Sequence, residues 1–247
     1  MKIVVTVPTW NEIENIVELC HAILEQDPRI EVLVADDDSP DGTWQAVAEL
    51  AAQQPRVSLL HRRGDRGRGR AGRAAFVTAL QRGADLAFEM DADWSHHPRH
   101  LPAMIAALEQ ADVVLGSRRV PGGADIGRSA ARRWLTAASN LYVRLVLGLP
   151  VADCNSGFRG WRAEALRTVD VANAFSPGPA LVHELLFKAR LRGLRLVEVP
   201  IRFEERQRGE STLTFRTLLR SYLTILRLRA KALNGSLFAP AGQELPR

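Results

Sequence analysis

Leu86-Ala87-Phe88-Glu89-Met90 is followed directly by Asp91-Ala92-Asp93-Trp94-Ser95-His96, and this junction decides the fold class. The apolar run predicts a buried strand with two carboxylates at its end. Like charges this close repel, so we expect a positive group between them. A divalent cation that also binds a phosphate would fit, and oxygen ligands favour Mg²⁺ or Mn²⁺ over zinc. Capping of a following helix would explain one carboxylate but not both, so Asp91 and Asp93 are the predicted metal ligands.

Strand and helix patterns alternate along the rest of the chain. Strands are predicted at residues 3–7, 31–35, 56–60 and 113–115, and helices at 45–53, 74–83, 98–110 and 180–192. Asn11 is the predicted cap of a first helix, with Glu14 completing a capping box and Ile13 on its core face. This alternation predicts an α/β fold with a doubly wound, mostly parallel sheet flanked by helices. Ligands of such sheets bind beyond the carboxyl ends of the strands.

A second acidic segment, Asp36-Asp37-Asp38-Ser39-Pro40-Asp41-Gly42-Thr43, follows the predicted strand at 31–35. Turn formation and helix capping explain Asp41 and Gly42. They do not explain Asp36 and Asp37, which stand at the strand end. There a carboxylate can accept hydrogen bonds from a nucleobase or a ribose, so both are candidate ligand-binding residues.

The composition indicates a globular protein with phosphate-bearing partners. Its 247 residues are 46% hydrophobic and 25% charged, with a formal net charge of +5. Arginine supplies 30 of the 33 basic residues, and guanidinium groups pair bidentately with phosphates. Nucleic acid is not an expected partner, because the arginine-rich stretch 62–73 contains no aromatic residue for base stacking. The acidic clusters would also repel a polyanion.

Several single residues are weaker candidates. Arg118 follows a predicted strand and is a candidate anion-binding residue, whereas His96 and His97 are expected in a solvated loop. Glu184 lies among leucines in a predicted helix, where a partly exposed structural role and a functional role both stay open. The chain has neither a P-loop nor a Gly-x-Gly-x-x-Gly after its first strand, which argues against a dinucleotide cofactor.

The motifs together resemble family 2 glycosyltransferases with the GT-A fold and, more narrowly, the polyprenol-phosphate (dolichyl-phosphate) mannose synthases. The resemblance runs from Val4 to about Leu213. It is carried by Pro8-Thr9-Trp10-Asn11-Glu12, the segment 36–43, Met90-Asp91-Ala92-Asp93, Gly116-Ser117-Arg118, Asn155-Ser156-Gly157-Phe158-Arg159, Glu198-Val199-Pro200-Ile201, and Glu205-Arg206 before Gly209-Glu210-Ser211.

The resemblance implies a role for each matching residue. The nucleotide of GDP-mannose would contact Pro8, Trp10, Glu12, Asp91 and one or both of Asp36 and Asp37. The catalytic residues would be Asp93, which with Asp91 binds Mg²⁺ or Mn²⁺, and three arginines that hold the acceptor phosphate or the donor diphosphate: Arg118, Arg132 and Arg206. The implied reaction inverts the anomeric centre and yields a β-linked mannosyl phosphate lipid. Transfer of glucose or an N-acetylhexosamine from a UDP-sugar, to a lipid phosphate or another acceptor, is the alternative.

The last part of the chain predicts an amphipathic helix over residues 213–233. We expect a catalytic domain over 1–210, this helix within 211–238 and a flexible tail over 239–247. A basic amphipathic helix can lie on an anionic bilayer, and it can equally cover the protein core. For an enzyme with an isoprenoid substrate, the first alternative predicts peripheral attachment at the cytoplasmic face of the membrane.

Overall fold

The structure, a computed structural model, describes residues 1–176, 178–205 and 215–238, with side chains described from Arg220 onwards in the last range. The strands are β1 Ile3–Thr9, β2 Ile30–Asp36, β3 Val57–His61, β4 Leu86–Glu89, β5 Val113–Ser117, β6 Ala124–Ile126, β7 Arg159–Arg162, β8 Leu196–Pro200 and β9 Arg202–Glu204. The α-helices are α1 Ile16–Leu24, α2 Thr43–Gln53, α3 Arg68–Gln81, α4 Leu101–Ala107, α5 Ala130–Leu147, α6 Ala163–Thr168, α7 Ala180–Leu191 and α8 Phe215–Leu233. Short 3₁₀ turns lie at Pro98–His100, Val171–Asn173 and Ser236–Phe238.

A seven-stranded sheet in the order β3-β2-β1-β4-β7-β5-β8 forms the centre of the described residues. All neighbouring pairs are parallel except those of β7, which runs antiparallel to β4 and β5. Strands β6 and β9 form a separate parallel pair. The predicted α/β fold with a mostly parallel sheet is therefore confirmed. Because β1, β2 and β4 are in parallel register, their carboxyl ends bring the three loops that follow them to one edge.

Each face of the sheet carries its own apolar core. One core joins β1, β2 and β4 to α1, α2 and α4, and the other packs α3, α5, α7 and α8 on the opposite face. Side chains alternate between the two faces: Val5 and Val7 of β1 belong to the first core and Val4 to the second. Burial on both faces explains why these strands are continuous β-branched runs rather than alternating patterns.

Two predicted helix starts are wrong. Asn11 does not cap a helix; it has a φ of 58°, α1 begins at Ile16, and Ile13 is exposed. The backbone N–H groups of residues 11–13 instead donate to side chains of the segment 39–43. Helix α3 begins at Arg68, inside the predicted loop 62–72. A glycine is needed at position 69 because a Cβ there would meet the backbone of Ser176 and Gly178.

Helix α8 has one packed face and one exposed apolar face. Ile225 and Leu228 are fully buried, whereas Leu223, Leu226 and Leu233 are about half or more exposed. The helix therefore covers the core and also presents leucines to the outside. Across the part of the chain that the structure describes, no helix is both long and apolar enough to cross a bilayer. The predicted domain boundary at 210 and the tail 239–247 lie outside the described residues.

Candidate active site

Asp36 organises the loop that follows β2. Its carboxylate accepts hydrogen bonds from Thr9 Oγ1 at 2.9 Å, from Ser39 N at 2.9 Å and from Ser39 Oγ at 2.7 Å. The residue is fully buried. Both carboxylate oxygens therefore join the ends of β1 and β2 and fix the loop between them. A direct contact of Asp36 with a ligand stays a prediction.

Asp37 and Trp10 follow β2 and β1 at the carboxyl edge of the sheet. The space between these loops and the turn after β4 is called the crevice below. Asp37 accepts a hydrogen bond from Gly67 N at 2.7 Å and pairs with the Arg62 guanidinium. The Arg66 guanidinium stacks over the Trp10 ring, 4.3 Å from its centroid, a cation–π contact. The loop before α3 thus closes over two of the predicted nucleotide-binding residues. Sequence reasoning missed this loop, because its arginines were not assigned to any site.

An aromatic pair joins the end of β3 to the start of α2. His61 and Trp44 stack with their ring centroids 4.4 Å apart, and His61 Nε2 lies 2.7 Å from Asp38 Oδ1. Glu12, also a predicted nucleotide-binding residue, is buried and accepts a hydrogen bond from Asn15 at 2.9 Å. Pro8 is half-buried within β1. Pro8 lies in β1, Glu12 in the loop after β1, Trp44 at the start of α2 and His61 at the end of β3. The nucleotide contacts implied for Pro8 and Glu12 stay predictions.

Asp91 and Asp93 lie beyond the carboxyl end of β4. Asp93 Oδ1 accepts hydrogen bonds from Ser95 N and Oγ, and Trp94 between them has a positive φ of 64°. Asp91 N donates to His96 Nδ1 at 3.1 Å, while the Asp91 carboxylate pairs with Arg68 at 2.6 Å. The loop is therefore a tight turn that presents the first carboxylate into the crevice.

His96 is buried rather than solvated, so that expectation is wrong. Its ring stacks on Phe158 and meets Phe203 edge-on, with centroids 5.3 and 5.6 Å apart. Burial lowers the pKa of His96, although Asp91 and Asp93 act in the opposite direction. A neutral ring with Nδ1 as an acceptor fits the hydrogen bond from Asp91 N. His96 thus holds the acidic turn in place, through the hydrogen bond from Asp91 N and through its packing against Phe158 and Phe203.

The donor set fits a hard divalent cation that shares its ligands with a phosphate. Within the described residues, no group of three or more His, Cys, Asp or Glu side chains could hold an ion by itself. Mg²⁺ commonly binds through one or two carboxylates together with substrate phosphates and water. Asp91, at 30% side-chain exposure, is accessible for such a role. Together with Asp93 it would hold the cation.

Of the two predicted anion-binding arginines that the structure describes, Arg118 is the more firmly anchored. It donates to Asp153 from its backbone N at 3.1 Å, from Nε at 2.6 Å and from Nη2 at 2.7 Å. Asp125 lies 3.8 Å away and also faces Arg119 and Arg128. Three guanidinium groups thus surround two carboxylates and leave net positive charge. Asp153 was treated as part of a turn-rich loop in the sequence, so its role as the anchor of Arg118 was missed.

The same arginine cluster contacts the acidic turn through aromatic rings. Arg118 and Arg128 lie over the Phe203 ring, 5.0 and 5.5 Å from its centroid, and His96 contacts that ring from its edge. Burial lowers the pKa of Arg118, but the hydrogen bond and charge of Asp153, followed by the charges of Asp125 and Asp91, raise it overall. The structure therefore places Arg118 near Asp91, and their roles in binding stay predictions.

Arg132 lies at the first turn of α5. The turn is capped by Ser129, whose Oγ accepts from Arg132 N, and the exposed Arg132 side chain pairs with Glu205. This places Arg132 beside the chain segment that leads to Arg206. Arg206 itself lies outside the described residues.

Glu184 has a structural role. It is fully buried, pairs with Lys188 at 2.9 Å and accepts hydrogen bonds from Phe175 N and Ser176 N. The expectation of partial exposure is wrong. The hydrogen bonds to Glu184 fix Phe175 and Ser176, and Gly69 of α3 packs against Ser176 O.

Comparisons with known proteins identify a family and a fold that this chain shares. The chain matches the sequence profile of glycosyl transferase family 2 over residues 4–170. An undecaprenyl-phosphate mannosyltransferase of Micrococcus luteus is 41% identical over 214 residues, which cover 87% of this chain and 88% of that protein. A polyprenol monophosphomannose synthase of Mycolicibacterium smegmatis is 38% identical, with 86% and 81% covered. A solved structure of glucosyl-3-phosphoglycerate synthase from Mycobacterium tuberculosis, with Mn²⁺, UDP-glucose and phosphoglyceric acid, has a similar fold, with a TM-score of 0.65, 21% identity and coverage of 92% and 79%.

Proposed function

The chain belongs to glycosyl transferase family 2, and we propose that it transfers mannose from GDP-mannose to a polyprenyl monophosphate with inversion at the anomeric carbon. The observation that carries this proposal is the set of side chains that the parallel strands bring to one edge of the sheet. Trp10, Asp36 and Asp37 lie at or just after the ends of β1 and β2, the turn with Asp91 and Asp93 follows β4, and the arginine cluster begins after β5. The names of the two bacterial relatives support mannose as the sugar and a lipid phosphate as the acceptor.

The donor would bind along the ends of β1, β2 and β4. Trp10, Glu12 and Asp37, with Pro8 and Asp36 behind them, are the proposed contacts for the nucleoside. Asp91 and Asp93 would hold Mg²⁺ or Mn²⁺ at the diphosphate. When bound, the metal supplies positive charge that stabilises the leaving diphosphate. Asp91 and Asp93 would fix where that charge lies.

The acceptor would bind on the arginine side. A phosphate monoester is already anionic at neutral pH, so its oxygen can attack the anomeric carbon without a protein base. The bond from the anomeric carbon to the leaving diphosphate breaks as the new carbon–oxygen bond forms on the opposite face. Arg118, held rigidly by Asp153, would orient the acceptor phosphate, and Arg132 and Arg206 would complete its binding.

The acceptor's lipid tail and the charges of α5 and α8 support a peripheral membrane contact at the cytoplasmic face. Neither helix contains an acidic residue, and each carries at least three basic residues. On α5, Trp134 is 77% exposed and Leu145 is 73% exposed. An open cavity of about 280 Å³ lies at the first turns of α5, lined by Arg119, Ala130, Arg133, Trp134 and Ala137. Exposed apolar side chains between cations suit an anionic bilayer surface.

A donor screen tests the proposed reaction. Labelled GDP-mannose, UDP-glucose and UDP-N-acetylglucosamine are each incubated with a short polyprenyl phosphate and Mg²⁺ or Mn²⁺, and the label in the organic phase is counted. We expect transfer from GDP-mannose and its loss in EDTA. Transfer from a UDP-sugar alone would contradict the donor assignment, and full transfer in EDTA would contradict the metal assignment.

Vesicle co-sedimentation tests the membrane contact. We expect binding to vesicles that contain phosphatidylglycerol, little binding to pure phosphatidylcholine, and weaker binding at high salt. Replacement of Trp134 and Leu145 by serine should reduce binding, while the exposed Ile13→Ser change, in the loop between β1 and α1, serves as the control. Equal binding of all variants would refute this surface.

A further inference from the structure

Arg68 occupies a position next to the predicted metal ligand. Its Nη2 lies 2.6 Å from Asp91 Oδ1 and 3.2 Å from Glu89 Oε1. Arg68 is the first residue of α3. This helix lies so close to β4 that a Cβ added at Gly72 would be only 2.6 Å from Glu89 Oε2. One guanidinium group therefore bridges the last residue of β4 and the first carboxylate of the acidic turn.

The charges around this contact make Arg68 the local counter-cation. Glu89 is buried and shares the Arg68 guanidinium with Asp91. Arg159 also lies near Glu89, but its guanidinium is hydrogen-bonded to the backbone carbonyls of Ser156, Val182 and Cys154. His96 Nδ1, 3.5 Å from the Asp91 carboxylate, is the acceptor of the hydrogen bond from Asp91 N.

We propose that Arg68 competes with the divalent cation for Asp91 and thereby makes metal binding depend on the nucleoside diphosphate. This inference rests on the proposed function, because it takes Asp91 as a metal ligand. Without a nucleotide, a metal ion must displace a charge-assisted hydrogen bond to gain that ligand. A diphosphate supplies further oxygen ligands to the ion and an alternative anionic partner for the guanidinium. Metal and nucleotide then bind cooperatively, and Arg68 sets the strength of that coupling.

The size of the effect follows from the exposure of the pair. A hydrogen bond to a charged group contributes enough to change an affinity by about 10-fold or more. Arg68 and Asp91 are 35% and 30% exposed, so solvent weakens the contact. We expect loss of the guanidinium to tighten binding of the metal alone by about 3- to 10-fold.

The test measures Mn²⁺ binding by electron paramagnetic resonance on the full chain, alone and with GDP. Arg68→Met removes the charge and Arg68→Gln keeps a donor for Glu89, so either variant tests the idea if the other fails to fold. Arg68→Lys keeps the charge. Arg70→Met is the matched control, since Arg70 lies in the same helix and pairs with the exposed Asp65.

In the uncharged variants, Mn²⁺ alone should bind more tightly and GDP should improve its affinity less than in the wild type. Arg68→Lys and Arg70→Met should resemble the wild type. Unchanged or weaker Mn²⁺ binding in both uncharged variants would overturn the role of Arg68 while leaving the proposed function intact. Failure of the wild type to bind Mn²⁺ even with GDP would overturn both.

Discussion

Replacing Asp153 by asparagine tests whether the anchor of Arg118 stabilises the site as the structure indicates. Asp153 is fully buried and accepts four hydrogen bonds, three from Arg118 and one from Asn140 at 3.3 Å. Asparagine keeps one acceptor oxygen and turns an amide N–H₂ group towards the guanidinium. At most half of the hydrogen bonds can persist, and the buried Arg118 loses its nearest counter-charge.

The expected cost is about 3 kcal/mol of unfolding free energy. Breaking a buried ion pair by removing one partner costs about 3–5 kcal/mol. The lower end applies here because Asp125 still lies 3.8 Å from Arg118. For a domain of this size the melting temperature should fall by about 6–12 °C. Urea denaturation at pH 7 measures the change, with Glu164→Gln as the control, since its exposed pair with Arg167 should contribute under about 1 kcal/mol.

The pH dependence gives a second measurement on the same variant. Burial alone would raise the pKa of Asp153, but the hydrogen bonds and charge of Arg118 lower it overall. A lowered folded-state pKa stabilises the protein above the unfolded value of about 3.9, and this contribution is lost as the pH falls through the folded value. The difference between wild type and Asp153→Asn should therefore be constant from pH 5 to 7 and shrink below about pH 4. A difference under about 1 kcal/mol at pH 7 would refute the reasoning, because a buried pair should cost more.

Three further changes test the packing around the site, each by urea denaturation. Lys188→Met removes the partner of the buried Glu184 and should lower the free energy of unfolding by about 3–5 kcal/mol, so a loss below 1 kcal/mol would contradict the buried pair. Gly160→Ala would place a Cβ 2.3 Å from the Phe88 ring and should cost about 1–3 kcal/mol through overpacking; a neutral result would mean that β7 lies farther from that ring. Ser129→Ala removes the cap of α5 and should cost about 0.5–2 kcal/mol, with no loss expected if the cap does not form.

The strands could be predicted closely because burial on both faces leaves a strong pattern. The run predicted at residues 31–35 is the central part of β2, Ile30–Asp36. The positions of Asp91 and Asp93 followed from the same logic, since a strand that ends in carboxylates points them to the carboxyl edge of the sheet. Local sequence was sufficient wherever the apolar pattern and the polar break agreed.

Local sequence failed where distant segments supplied the hydrogen bonds. Asn11 has the chemistry of a helix cap, yet its N–H donates to Ser39, 28 residues away. Gly69 and Gly72 indicated a loop, yet they lie in a helix that packs directly on backbone and on Glu89. In both places a tertiary contact outweighs the local conformational preference of the residues, and such a contact cannot be predicted from a single sequence.

The site residues divide in the same way, into those that local sequence predicted and those that depend on distant contacts. Its acidic residues were identified because they follow strands, whereas their partners Arg68, His96 and Asp153 were not. These partners come from α3, from the turn after β4 and from the loop before β7, and only folding brings them to Asp91 and Arg118. The arginine-rich composition also made the arginines of the site harder to identify, because each of the 30 arginines is expected to be an exposed surface residue unless other signals point to it.

The most direct test of the central claim is an anomalous difference map from crystals grown with Mn²⁺ and GDP-mannose. We predict a manganese peak about 2.1 Å from a carboxylate oxygen of Asp91 or Asp93, with the diphosphate as its other ligand and the guanine on the side of Trp10 and Asp37. An ordered nucleotide elsewhere, or a well-defined crevice with no manganese peak at these two carboxylates, would contradict the assignment.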